Sequence, residues 1–447
     1  MPIFDFKDFT ASTHIPRSSK NAHNLWKGTI KGSNRVWFCK AVENLDIALK
    51  EVVVQEFFRV IVPYQPETRI AYDKSTGLYY ILSEEIAEFN YSESNFRKQV
   101  KTGLGKTLLL ALFLEEDDLK FNNIGLDNQN RVIKIDGGLC FSGDKHPFNL
   151  SDTAIKGLPF PVDCQPTHWL DIIKNGKKHA GSFIVSQSLS SSPEFRNDVN
   201  QTMLRICLIP DGFIIDFVDF LTEGSSIQEK FITKLINRRD ELLGAALNNS
   251  SFFAYLNTPA AQQEALDFSN CLLSFNSARK FLINNIEQKE EFVVEFNNRK
   301  RALFTVCANQ LINQINMELQ AHLFDINFKQ FNNLVEMAGK LILITDNYDN
   351  LNTHLTHLLN SIVALKQRFR GQLEELVKEF EEKIVIQSNI NHNNPENAVI
   401  KTLELVDNSI INEPLNTSNF NPGFWQNPKN SNANIVDEKE LAYGNNL

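Results

Sequence analysis

The tract from Asp118 to Gly138 constrains this chain most. It opens Asp118-Leu119-Lys120-Phe121-Asn122-Asn123, and thirteen residues after Asn123 comes Asp136, within Ile135-Asp136-Gly137-Gly138. Between them, Arg131-Val132-Ile133-Lys134-Ile135 alternates like a strand and is expected to place Asp136 at its end. Asp127-Asn128-Gln129-Asn130, just ahead, has turn composition. Phosphoryl transfer uses such a set: one carboxylate orients the attacking hydroxyl, and an Asn and a second Asp hold magnesium on the phosphates. A surface hairpin rich in Asp and Asn has the same composition, so the rest of the chain has to decide.

Upstream, Gly32-Ser33-Asn34 reads as a turn. Arg35-Val36-Trp37-Phe38-Cys39-Lys40-Ala41-Val42 follows with strand-type residues. In the tract from Lys50 to Val62, Val53, Phe57, Val60 and Ile61 recur at helical spacing, and Pro63 and Pro66 stop the helix. Glu51 and Glu56 both lie on it, and either is a partner for Lys40. Leu78-Tyr79-Tyr80-Ile81-Leu82 reads as a buried strand that runs into Ser83-Glu84-Glu85.

Together these pieces resemble the protein-kinase-like superfamily. The resemblance implies an α+β, two-lobed fold with a small antiparallel-sheet N-lobe and a mostly helical C-lobe, followed here by an all-α bundle. By position it makes Asp118 the catalytic Asp, Asn123 and Asp136 the metal ligands, and Lys40 the contact to the α/β-phosphates. The passage from Glu51 to Arg69 resembles HipA-like and bacterial effector kinases, which implies Glu51 as the partner of Lys40. Gly32, Ser33 and Asn34 would cover the phosphates, and Ser83, Glu84 and Glu85 would form the hinge that holds adenine. The implied cofactors are ATP and Mg2+ or Mn2+. Two departures stand out. Glu116-Asp117 occupies the place of His-Arg, and Gly137 replaces the Phe of Asp-Phe-Gly. Control through an Arg–phosphate pair or a flipping Phe is therefore not expected.

The 447 residues allow two or three domains. We expect a flexible N-terminus over 1–25, the N-lobe over 26–85, the C-lobe over 86–260, a helical bundle over 261–386 and a disordered Asn-rich tail over 387–447. In the bundle region, leucines and other apolar residues from Leu351 to Phe380 repeat at steps of four and three. The net charge of −9 argues against nucleic-acid binding. The six cysteines are scattered, as in a reducing compartment. There is no signal-peptide core and no apolar run of membrane-spanning length. Gly103-Leu104-Gly105-Lys106-Thr107 lacks the earlier Gly of a Walker loop and reads as the start of a helix. His354 and His357 sit three apart, but no Cys or carboxylate cluster completes a site with them, and they read as solvated.

Three basic groups break the acidic background: Arg97, Lys98, Lys101 and Lys106; Lys174, Lys177, Lys178 and His179; and Arg299, Lys300 and Arg301. Such runs are ordinarily solvated faces. The sharper expectation is that the first two bind an inositol phosphate and that the third docks a phosphoinositide membrane surface. Residues 26–260 resemble the effector kinases that intracellular bacteria such as Legionella inject into host cells, most of all those activated by inositol hexakisphosphate. That resemblance implies a host protein substrate, a Ser/Thr-type hydroxyl acceptor, a role in virulence, an inositol polyphosphate activator and delivery to host cytoplasm without a cleaved signal. The rival activities on the same residues are phosphoinositide kinase, AMP transferase and glutamylase.

Overall fold

A computed structural model describes residues 3–16, 24–90, 102–119, 123–141, 148–159, 161, 168–169, 171–174, 177–183, 191–279, 286–322, 328–344 and 360. The first half is built on strands β1 (Phe4–Asp5), β2 (Phe9–Ile15), β3 (Leu25–Ile30) and β4 (Val36–Val42). Helix α1 (Leu45–Ile61) follows, then β5 (Thr68–Asp73) and β6 (Leu78–Glu84). These strands form one sheet in the order β1-β5-β6-β4-β3-β2, antiparallel except for the short β1–β5 pair. The N-terminus expected to be flexible over 1–25 therefore departs from that expectation in its described part. Phe4 and Phe6 pack on the outer face of the sheet, and the Phe6 ring stacks on Tyr80 at 3.9 Å. The aromatic spacing Phe4, Phe6, Phe9 carried this signal within an otherwise polar stretch.

Alternation along β4 sorts its side chains between two cores. Trp37 and Cys39 join Phe9, Ala71, Tyr80 and Leu82 on the outer face. Val42 points the other way, into the core that contains α1, and Lys40 shares that parity. Helix α1 begins earlier than its apolar periodicity indicates, because Asn44 caps it by accepting the Ile47 amide at 2.9 Å. It is buried nearly all round, lying between the sheet and the helical half.

The second half opens with α2 (Leu104–Phe113), the helix expected at the rejected Walker-like sequence. Next come β7 (Asp118–Leu119), β8 (Ile124–Leu126) and β9 (Val132–Lys134), then α3 (Asp152–Gly157) and β10 (His168–Trp169) to β12 (Lys177–Phe183), with β11 spanning Asp171–Lys174. Helices α4 (Pro193–Leu208), α5 (Asp211–Thr222), α6 (Gln228–Leu247), α7 (Ser250–Leu256), α8 (Pro259–Arg279), α9 (Ile286–His322) and α10 (Phe328–Ile344) complete the described part. The architecture is thus α+β with a small sheet lobe and a helical lobe, followed by further helices. Those further helices do not form a separate core. Phe268, Phe296, Phe304 and Leu334 belong to the same buried cluster as Phe57, Leu108 and Phe217. The apolar repeat from Leu351 to Phe380 and the tail over 387–447 lie outside the described residues.

Polar groups tie α9 to the lobe beneath it. Glu295 accepts the amides of Asp211 at 2.6 Å and Gly212 at 3.3 Å, at the start of α5 where the helix dipole favours a carboxylate. Arg299 donates to the Cys207 carbonyl at 3.1 Å and pairs with Asp211 and Asp240 at 3.6 and 3.5 Å.

Candidate active site

Strand β4, helix α1 and the loop after β9 meet at Lys40. Its ammonium lies 2.8 Å from both carboxylate oxygens of Glu51 and 3.3 Å from Oδ1 of Asp136. Glu56 is committed elsewhere: it accepts the Thr68 amide at 2.6 Å and pairs with Arg59 at 3.0 Å. The side chains of Lys40 and Glu51 are only 13% and 6% exposed, while that of Asp136 is 41% exposed and opens outward. Burial works against the Lys40 ammonium, but the facing carboxylates of Glu51 and Asp136 outweigh it and raise its pKa. Burial raises the Glu51 carboxyl against the pull of Lys40. Desolvation also works against ionised Asp136, yet Lys40 and Lys134 bring its pKa down to about 2.

The hairpin between the two acidic motifs forms as its composition indicates. Ile124 pairs with Lys134 and Leu126 with Val132, and Asn130 takes the left-handed conformation at φ 57° to turn the chain. The Ile135 amide donates to the Asn123 carbonyl at 2.9 Å, so the hairpin sets Asn123 beside Asp136. The side-chain amide of Asn123 donates to the Asp118 carbonyl at 2.8 Å and to its Oδ2 at 3.2 Å. That orientation leaves the Asn123 amide oxygen as the ligand atom. Asp136 has φ 62°, and its Oδ1 accepts the Gly138 amide at 3.2 Å. An Asn carbonyl and an Asp carboxylate are hard oxygen donors. They suit Mg2+, which is held by one or two carboxylates together with waters and substrate phosphates. Among the described residues no group of three or more His, Cys, Asp or Glu side chains is arranged to hold a metal.

Beneath this site lies a buried network that sequence reasoning missed. Lys134 is fully buried, and its ammonium lies 2.6 Å from Oε2 of Glu116, itself 1% exposed. The same ammonium donates to the Asp136 carbonyl. Glu116 also accepts the Asp118 amide at 3.0 Å and the Cys140 thiol at 3.0 Å. Burial works against the Lys134 charge, and Glu116 outweighs it. Gln65 clamps the strand by donating to the Val132 carbonyl at 3.0 Å and accepting the Lys134 amide at 2.8 Å. Simple strand alternation puts Lys134 on the face opposite Ile133, where a lysine is ordinarily solvated. The available signal was Glu116 itself, an acid in a short helix-to-strand passage that demands a buried cation.

Some expected residues are not brought to this site. Across the sheet, Lys40 pairs with Leu25, whereas Val36 pairs with Thr29. The turn of Gly32, Ser33 and Asn34 therefore sits at the far end of β4, six residues or roughly 20 Å from Lys40 at strand rise. There Ser33 accepts the Arg35 amide at 3.1 Å, which serves the turn. The connection that leaves the sheet level with Lys40 joins Ile15 to Leu25, which pair with each other. Ser83 and Glu84 end β6, and Glu85 follows directly. The Glu84 amide donates to Glu67 and the Glu85 amide to Val36, both at 2.9 Å, so neither is open to a base. Their carboxylates pair with Arg35 at 3.2 Å and Lys27 at 2.6 Å. The chain crosses between the lobes just afterwards, where Asn90 bridges Leu126 in both directions at 2.9 and 3.0 Å.

Of the first basic group, Arg97, Lys98 and Lys101 lie outside the described residues. Lys106 faces Asp198 at 4.0 Å, and Asp198 accepts the Gly103 amide at 2.8 Å, so a carboxylate already caps that helix. The side chains of Lys174, Lys177, Lys178 and His179, on β11 and β12, lie outside the described part. Arg299 is taken up in docking α9.

No family model matches the chain, and no curated protein matches it. Among solved structures, it is similar to the proinflammatory kinase CtkA of Helicobacter pylori, at 14% identity and a TM-score of 0.32, over 54% of this chain and 99% of that one. It is also similar to the kinase PK-1 of the Cydia pomonella Granulovirus, at 12% identity and a TM-score of 0.25, over 56% of this chain and 96% of that one.

Proposed function

We propose that this chain is an ATP-dependent phosphotransferase that moves the γ-phosphate to a hydroxyl, with a protein as acceptor. One observation carries the reading. Lys40, Glu51 and Asp136, from three separate parts of the chain, converge within 3.3 Å, and Asp118 and Asn123 are hydrogen-bonded to each other beside them.

Each side chain then has a task its surroundings favour. Glu51 fixes the Lys40 ammonium in the charged form, ready to bind phosphate oxygens. Asp136 and Asn123 would hold the metal, which when bound neutralises charge on the phosphates. Asp118 receives the acceptor hydroxyl and orients it, and general-base assistance of this kind contributes about 10²–10⁴-fold. The Asn123 amide holds the Asp118 carboxylate in place. The crossing segment from Ile86 to Asn90, rather than Ser83 to Glu85, provides the backbone between the lobes. The protein acceptor, the Ser/Thr-type hydroxyl, control by an inositol polyphosphate and delivery into a host cell belong to the proposal through the resemblance described for residues 26–260.

The test is transfer from ATP labelled at the γ-phosphate, with Mg2+ or Mn2+, to a generic basic protein and in parallel to phosphoinositide vesicles. Label should appear on protein and disappear with Asp136→Ala. Label that persists in that variant overturns the assignment, and so does a parallel reaction in which only ATP labelled at the α-phosphate marks the protein. Label on the vesicles alone makes the acceptor a lipid.

A further inference from the structure

Lys134 joins two loops that must keep register for the chemistry. Its ammonium contacts Glu116, which holds the Asp118 amide, and also the carbonyl of Asp136. The hydroxyl-orienting acid and the metal-binding acid thus hang from opposite sides of one buried ion pair. The pair has no exposure through which solvent could substitute for either partner. Glu116 also takes the Cys140 thiol, so the loop is held again four residues beyond Asp136. Gln65 fixes the strand that delivers Lys134.

We infer that Lys134 and Glu116 are positioning residues that set the placement of Asp118 relative to Asp136, in place of the His-Arg pair this sequence lacks. The inference rests on the phosphotransferase reading for its consequence, but not for the coupling itself. Removing one member strands a buried charge, whereas removing both leaves an uncharged core. Folding and positioning are therefore separable in the double variant Glu116→Gln/Lys134→Met.

The experiment compares wild type, that double variant and the isosteric Glu116→Gln alone. Hydrogen exchange is read over 116–119 and 135–140, with α1 and α2 as internal references. In the variants both segments should lose protection together while the two helices keep theirs. Turnover should fall by about 10–100-fold, the usual effect of losing a group that orients a metal ligand, and half-saturation by Mg2+ should move upward. ATP affinity without metal should stay unchanged, a split that a merely structural pair would not produce. Variants that exchange and turn over like wild type overturn the inference. If the double variant does not melt cooperatively, Glu116→Asp, which keeps the charge beside Lys134 but shortens its reach, is read by the same criteria. A wild type that shows the coupled protection yet transfers no phosphate overturns the proposed function and leaves the positioning role standing.

Discussion

Gly137→Ala adds a single methyl group and is expected to disable the site without touching any of its polar residues. A Cβ at this position would lie 2.9 Å from Cγ1 of Val54, 3.3 Å from Cγ of Gln55 and 3.4 Å from Cβ of Val54. Carbon atoms pack best at about 3.5–4.0 Å, so the closest contact must open by about 0.6 Å or more. Val54 is fully buried and β-branched, hence stiff at χ1, and Gln55 is 3% exposed. Neither can swing away, so the strain is relieved by moving α1 or the loop. Glu51 sits one turn earlier on the same helix. A shift of that size stretches the contact of its carboxylate with Lys40 from 2.8 Å to about 3.4 Å and weakens it. Overpacking costs about 1–3 kcal/mol, and a misplacement near 1 Å at a reacting site costs on the order of 100-fold in rate. Thermal melting should therefore fall by a few degrees while turnover falls far more, and calorimetry should show weakened ATP binding. A variant with unchanged melting and turnover within about twofold of wild type would refute the reasoning.

Three other perturbations bear on the site. Lys40→Met strands the Glu51 carboxylate and should cost about 3–5 kcal/mol in urea unfolding, and adding Glu51→Gln should recover most of that stability but no activity. Asp118→Asn should lower kcat by about 10²–10⁴-fold while ATP affinity, read by fluorescence titration, stays put; equal turnover would remove Asp118 from its role. Asp136 has its folded pKa depressed from 3.8 to about 2, so its contribution is present above pH 3.8 and is lost as pH falls toward 2. Because the side chain is 41% exposed, screening reduces that contribution to about 1 kcal/mol. The stability gap between wild type and Asp136→Asn should accordingly close between pH 4 and 2, and a gap constant with pH contradicts this electrostatic account.

The sequence was most legible where local rules act alone. The hairpin around Asp127–Asn130, the strand bearing Lys40 and the helix bearing Glu51 are each written in turn composition or apolar period. Choosing Glu51 over Glu56 was not, because both face buried surroundings; the Thr68 amide and Arg59 settle it by occupying Glu56. The turn at Gly32 misled because a glycine marks a bend without saying which end of the strand it serves. Only the cross-strand pairing of Lys40 with Leu25 fixes that. Lys134 was hidden for another reason. Alternation assumes one wet face, and β9 has none, with Val132, Ile133 and Lys134 all at 0% exposure.

Helix α9 has a practical consequence for anyone isolating the first half of the chain. Cutting the chain near residue 260 would strip away Phe292, Phe296, Leu303 and Phe304 and leave the start of α5 without the Glu295 carboxylate. The shortened piece would present a greasy scar and tend to self-associate, and the intact protein should melt in one step through this shared interior.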